Sequence, residues 1–226
     1  MRKRNFDGTY RDTGMGGKNS YSKLVRFPEP YGRWLADIDN PTEFIRQCVI
    51  EKFDTLMTAK LLMLNPDTII DKTVKNSELT NQYISSNILN AIREAKLEGW
   101  HIVAVSNQEG IERGQKTLDV CKDEMQELND AARTSNGQPL FDYIIFCSHC
   151  VKDGDTCWVL DCKQNVWIMK EGVGLVRKPN PGMLYLACYL VKSHPWRTLM
   201  IGNSIDRKAA SLAGIDFQDF EEWLRS

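Results

Sequence analysis

The chain has 226 residues, of which 42% are hydrophobic and 26% charged, and its formal net charge is −1. That length suits one α/β domain with an extension, and near-neutrality excludes a strong overall field for nucleic acid or an acidic membrane. No apolar run is long enough to span a bilayer, the basic Met1-Arg2-Lys3-Arg4 start lacks a leader's apolar stretch, and seven cysteines, several in apolar segments, suit a reducing cytoplasm.

Residues 1–59 read as an extension. Its first part is rich in glycine, with Gly8, Gly14, Gly16 and Gly17, and basic through Arg2, Lys3, Arg4, Arg11 and Lys18. Such an arm is a solvated tail or a surface for a protein or phosphate-bearing partner. A helix is predicted from Pro41. Asn40 or Thr42 can cap it, and Phe44, Ile45, Cys48, Val49, Phe53 and Leu56 form one apolar stripe.

From residue 60 to 226 strands and helices alternate. Leu61–Leu64, His101–Val105, Phe141–Phe146 and Thr198–Ile201 read as buried strands. Helices are predicted over 85–98, 116–132, 181–193 and 204–214, with only a small insert near 150–176. The alternation predicts a parallel sheet covered on both faces, with a working site at the carboxyl ends of its strands.

The turns after those strands hold Asn65-Pro66-Asp67, Ser106-Asn107-Gln108 and Asn203-Ser204-Ile205-Asp206, and Arg177-Lys178 precedes the helix at 181. A hydroxyl near a helix start and a lysine suit a phosphoryl group. Their order carries the signal, because each alone is an ordinary turn residue.

Val105-Ser106-Asn107-Gln108-Glu109-Gly110-Ile111, Arg177-Lys178-Pro179-Asn180-Pro181-Gly182-Met183 and Leu199-Met200-Ile201-Gly202-Asn203 resemble motifs two to four of the haloacid dehalogenase (HAD) superfamily. The subfamily resembled is IIIA, with histidinol-phosphatase, heptose-bisphosphate phosphatase and polynucleotide 3′-phosphatase domains. The resemblance implies a Rossmann-like three-layer α/β core with a parallel sheet and a minimal cap. It places Ser106 and Lys178 in the catalytic set, Asn107 and Arg177 at substrate phosphate, and Asn203 and Asp206 at Mg²⁺.

Motif one departs from the pattern. The resemblance puts Asn65 where the family's nucleophilic aspartate stands and Asp67 at the general acid; Asn203 replaces a metal-binding aspartate. A carboxamide is neutral and a poor nucleophile, and Mg²⁺ prefers anionic oxygens. The expectation is a catalytically impaired phosphatase-like protein, a pseudoenzyme that keeps a phosphate pocket. The alternatives are an active Mg²⁺-dependent phosphomonoesterase on a sugar phosphate or nucleic-acid 3′-phosphate, and an interaction module using the extension. Asp37-Ile38-Asp39 is a rival motif one, or else a polar turn before the helix at 41. Cys147 and His149 resemble half of a zinc loop in the heptose-phosphatase branch, and Cys157 and Cys162 would complete a Zn²⁺ set.

Overall fold

The computed structural model describes residues 9–10, 25–26, 39–70, 84–148, 154–171 and 174–225. The chain divides into two units, residues 1–56 and 57–226.

In the first unit, β1 (Thr9–Tyr10) pairs antiparallel with β2 (Val25–Arg26), and α1 spans Pro41–Leu56. Asn40 caps α1, its Oδ1 accepting the Glu43 N–H at 3.3 Å. Phe44, Val49 and Leu56 of the expected apolar stripe are exposed. Periodicity found the helix but not the burial. The basic arm and Asp37 lie outside the described residues; Asp39 is exposed in the turn before α1.

The second unit runs β3 (Ala59–Leu64), α2 (Pro66–Ile69), α3 (Ser86–Leu97), β4 (Trp100–Asn107), α4 (Leu118–Ala131) and β5 (Tyr143–Cys147). It continues with β6 (Cys157–Asp161), β7 (Val166–Lys170), α5 (Gly182–Val191), β8 (Ser193–Gly202), α6 (Ser204–Ala213), β9 (Asp216–Asp219) and α7 (Phe220–Trp223). Seven strands form one sheet in the order β7-β6-β5-β4-β3-β8-β9. The five from β5 to β9 along that order are parallel. β6 and β7 add an antiparallel hairpin at one edge. The insert near 150–176 is therefore sheet extension in its described part. Its turn carries Asn165 at φ 56°, a left-handed conformation that asparagine tolerates better than most residues.

The alternating burial of a two-sided sheet sorts residues into two cores. Leu61, Met63, Val103, Val105 and Met200 pack with Leu184, Ala187, Ala209 and Ala210 of α5 and α6. Leu62, Leu64, Ile102, Ala104 and Ile201 pack with Ile88, Ile92, Cys121, Met125 and Leu128 of α3 and α4. The result is the expected three-layer α/β core. No described helix is long and apolar enough to cross a membrane.

Asp142, just before β5, ties the amino-terminal end of this sheet together. Burial by itself would raise its carboxyl pKa, but the Lys96 ammonium, Lys163 and the Ile102 N–H overrule burial and hold it below its ordinary value. Lys96 Nζ lies 2.7 Å away and the Ile102 N–H donates at 3.0 Å. A carboxylate held low in the folded state stabilises the fold fully above its unfolded pKa of about 3.9, and loses that contribution as pH falls through the folded value. Asp142→Asn should therefore cost about 1–3 kcal/mol at pH 7, a partly solvated case of breaking a buried pair. In urea unfolding the gap from wild type should narrow below about pH 4. A gap that stays constant from pH 7 to pH 3 would refute this role.

Candidate functional site

Parallel pairing brings the carboxyl ends of β3, β4 and β8 to one edge, where Asn65 and Asn203 follow their strands and Ser106 stands one residue before the end of β4. Asn65 is the N-cap of α2. Its Oδ1 accepts the Asp67 N–H at 3.1 Å, and its backbone carbonyl accepts the Thr68 hydroxyl at 2.8 Å. Pro66 at the first helical position has no N–H to satisfy there. With its oxygen held by this cap, Asn65 turns its amide nitrogen to Asp206, and Nδ2 donates to Oδ2 at 2.7 Å.

Asp206 is the centre's hub and is fully buried. Its Oδ1 accepts Lys178 Nζ at 2.5 Å, and its Oδ2 accepts Asn65 Nδ2 and the Asn203 N–H, the latter at 2.9 Å. Lys178 is 1% exposed and also donates to the Val105 carbonyl at 2.7 Å. Burial pulls the Lys178 ammonium below its usual pKa range, with Asp206 and Asp67 opposing. Asn203 caps α6: its side chain accepts the Ile205 N–H at 3.0 Å, and Asp206 returns the bond to the Asn203 N–H. This reciprocal capping box starts α6 and aims the Asp206 carboxylate inward. Gly202 is required here, because a Cβ at that position would collide with the Asp206 carboxylate.

Asn107, expected at substrate phosphate, is engaged elsewhere. Its amide exchanges two hydrogen bonds with the Lys178 backbone, Nδ2 to the carbonyl at 2.9 Å and Oδ1 from the N–H at 3.0 Å. That clamp fastens the loop before α5 to the end of β4 and sets Lys178 against Asp206. Arg177, also expected at phosphate, pairs with Glu109, which takes Arg113 on its other oxygen at 2.7 Å.

Ser106 is fully buried. Its Oγ accepts Gln108 Nε2 at 2.6 Å and donates to Asp67 Oδ2 at 3.3 Å. Because Gln108 already donates to this oxygen, the hydroxyl proton is free to turn to Asp67. Gln108 is fixed in turn by Lys116, whose Nζ reaches its Oε1 at 2.6 Å and Glu124 at 2.5 Å. Sequence reasoning missed Gln108, Lys116 and Glu124. Gln108 sits inside the second motif, but nothing local in the sequence marks Lys116 or Glu124.

The donor set fits Mg²⁺ poorly. Among the described residues that meet there, Asp67 and Asp206 supply the carboxylates, both Asp206 oxygens already take donors, and Asn65 presents an N–H rather than an anionic oxygen. Among the described residues no group of three His, Cys, Asp or Glu side chains is placed to hold a metal.

The zinc expectation is corrected. Cys147 and Cys157 belong to the core on one face of the sheet and Cys162 to the core on the other, so the sheet separates them. Burial pushes the Cys157 thiol up to about 12, with Cys147 adding to it, and raises Cys162 as well. Zinc binds the thiolate, which such burial disfavours. His149 lies outside the described residues.

Residues 63–223 match the family model described as polynucleotide kinase 3 phosphatase. The chain belongs to that family. Two curated D-glycero-beta-D-manno-heptose-1,7-bisphosphate 7-phosphatases are similar to this family member. The one from Haemophilus influenzae is 28% identical over 135 residues, 60% of this chain and 65% of its own length. The one from Pasteurella multocida is 30% identical over 126 residues, 55% of this chain and 59% of its own. The chain thus spans less than two thirds of either relative. A crystal structure of D,D-heptose 1.7-bisphosphate phosphatase from B. bronchiseptica, complexed with magnesium and phosphate, aligns with a TM-score of 0.51. It is 21% identical, with 70% of this chain and 78% of that one covered. An HAD-like phosphatase from Mesorhizobium loti aligns with a TM-score of 0.50 at 23% identity, covering 70% and 69% of the two chains. Both likenesses establish the fold, and the family match together with the heptose-bisphosphate phosphatase relatives places the chain in the HAD superfamily, subfamily IIIA-like.

Proposed function

We propose that this polynucleotide kinase 3 phosphatase family member hydrolyses phosphate monoesters poorly or not at all, and keeps the old pocket for holding a phosphorylated small molecule or nucleic-acid end. One observation carries the reading: Asn65 Nδ2 donates to Asp206 Oδ2 at 2.7 Å. Nucleophilic displacement at phosphorus needs an anionic oxygen at position 65 and an oxygen-rich seat for a metal. The carboxamide supplies neither, and its N–H occupies an Asp206 oxygen that a cation would use. Ser106 and Lys178 keep the hydroxyl and ammonium that suit a phosphoryl group, although Asp206 neutralises Lys178 and so weakens its pull.

The test is phosphate release from a panel of sugar phosphates and 3′-phosphorylated oligonucleotides, with and without Mg²⁺, beside ³¹P-detected binding of inorganic phosphate. Binding without turnover is expected. Mg²⁺-dependent turnover would replace this reading with a second one, an active phosphomonoesterase. Support for that reading comes from Asp67, a carboxylate 3.3 Å from the Ser106 hydroxyl that could serve as a general acid, and from the likeness to heptose-bisphosphate phosphatases.

A further inference from the structure

The opposite end of the sheet carries a feature that the phosphate centre does not use. A cavity of about 290 Å³ opens there, walled by Trp100 and Trp196 with Lys60, Arg197, Leu199 and Asp216 around it. Register places these residues side by side. Lys60 pairs with Trp100 across β3 and β4, and Leu199 with Asp216 across β8 and β9. Lys60, Trp100 and Asp216 lie at the amino-terminal ends of β3, β4 and β9, the edge away from Asn65.

Trp196 is 63% exposed, an unusual state for the largest apolar side chain. One ring face is taken by His194, which stacks on it at an interplanar angle of 22°. Lys60 Nζ stands 5.6 Å from the centre of the Trp100 ring. Lys60, Arg197 and Asp216 have no ion pair or side-chain hydrogen bond among the described residues. Among the described residues, three charges without an ion pair, one of them set over an indole, therefore rim a pocket that two indoles make apolar.

We infer that this pocket binds the nucleoside phosphate unit, with an amino-bearing base on the tryptophans and the phosphate toward Lys60 and Arg197. Each requirement removes other ligands. A purely apolar ligand would leave the charges unused. A simple anion would gain nothing from the indoles and would be repelled by Asp216. A flat base stacks on an aromatic face whatever its identity, and an exocyclic amino group donates to a carboxylate such as Asp216. The cavity lies at the lower end of the range for small-molecule sites, about 300 Å³, which admits one nucleotide and not a duplex. The nucleotide can be free or the last residue of a single strand. Neither source requires anything of Asn65 or Lys178, so this inference stands apart from the proposed function.

The experiment is titration of the full chain with cytidine, uridine and adenosine monophosphates and with a single-stranded hexanucleotide, followed by tryptophan fluorescence and calorimetry. Saturable binding is expected, with cytidine preferred to uridine monophosphate. Trp196→Ala, and Lys60→Ala with Arg197→Ala, should each weaken it at least about tenfold. Asp216→Asn should erase the preference for cytidine, and Val166→Ala, at an exposed position on β7, should leave binding unchanged. Equal affinity for monomer and hexamer identifies free nucleotides, and tighter hexamer binding identifies strand ends. The inference is overturned if no ligand saturates wild type, or if both rim variants bind within twofold of it. It also fails if Ser106→Ala abolishes binding while Trp196→Ala, verified as folded by circular dichroism, does not.

Discussion

Asn65→Asp should raise phosphate release and make it require Mg²⁺. The substitution restores an anionic oxygen where displacement at phosphorus needs it, and loss of a nucleophile alone costs ~10⁴ or more in rate. Recovery will be partial, because Asn203 still lacks a charge and remains committed to capping α6. A rise of at least about 100-fold over wild type in phosphate release is expected, with a further gain on adding Asn203→Asp. The same change carries a stability signature that does not depend on finding the substrate. Asn65 Nδ2 is 2.7 Å from an Asp206 oxygen, so a carboxylate at 65 would set two negative groups in contact inside a buried site. Without metal, Asn65→Asp should lower stability by about 2–4 kcal/mol at pH 7, as like charges sharing a site resist joint ionisation. Mg²⁺ binds the folded form of this variant and should return much of that loss in a concentration-dependent way. Thermal melts in EDTA and in millimolar Mg²⁺, for wild type and variant, check both statements. A variant as stable as wild type in EDTA, with no Mg²⁺ response, would contradict the geometry at its centre.

Removing Asp206 should be the most damaging single change in the second unit. Lys178 and Asp206 are almost wholly hidden from solvent, and their 2.5 Å ion pair is the buried partnership on which the centre rests. Breaking such a pair from one side costs about 3–5 kcal/mol, because the surviving charge is stranded. Asp206→Ala also strips the return bond of the α6 capping box, worth about 1 kcal/mol. Lys178→Met, with Asp206 left unpaired, belongs in the same range. The double variant should lose less than the sum of the two, since no lone charge remains, and a double-mutant cycle in urea measures the difference. The sign of the pH response is fixed as well. In Asp206→Ala the buried Lys178 loses the counter-charge that opposes desolvation, so its folded pKa drops further below the unfolded value. The unfolded chain then binds more protons, and the variant should gain stability as pH rises from 7 to 9. A variant whose deficit stays flat over that range would show that Lys178 is not stranded.

The strands of the core were legible because apolar runs such as Leu61–Leu64 and His101–Val105 must be buried on both faces. The β6–β7 hairpin was not read, although Trp158 and Trp167 lie in two short apolar runs joined across Asn165. The helix at Pro41–Leu56 was visible in its period, but Phe44, Val49 and Leu56 of its apolar stripe stay exposed, because period reports helix and not what covers it. At the candidate site, motif spacing pointed to Asn65, Ser106 and Lys178 as positions of interest. It could not show what they bond to. Asn65 meets Asp206 across 141 residues and Lys178 meets it across 28, and such pairings are made only by the sheet. Asn107 shows the same limit: its neighbourhood in the chain suggests a ligand contact, while the folded chain spends both ends of its amide on the Lys178 backbone.

Asp206 does two jobs with one carboxylate, starting a helix and neutralising a lysine, and the two cannot be adjusted independently. Any guest that draws this group toward itself must loosen the first turn of α6 at the same moment. Amide exchange at Asn203 and Ile205 would therefore report events in the pocket, and the helix would act as a built-in gauge of whether the centre is empty or engaged.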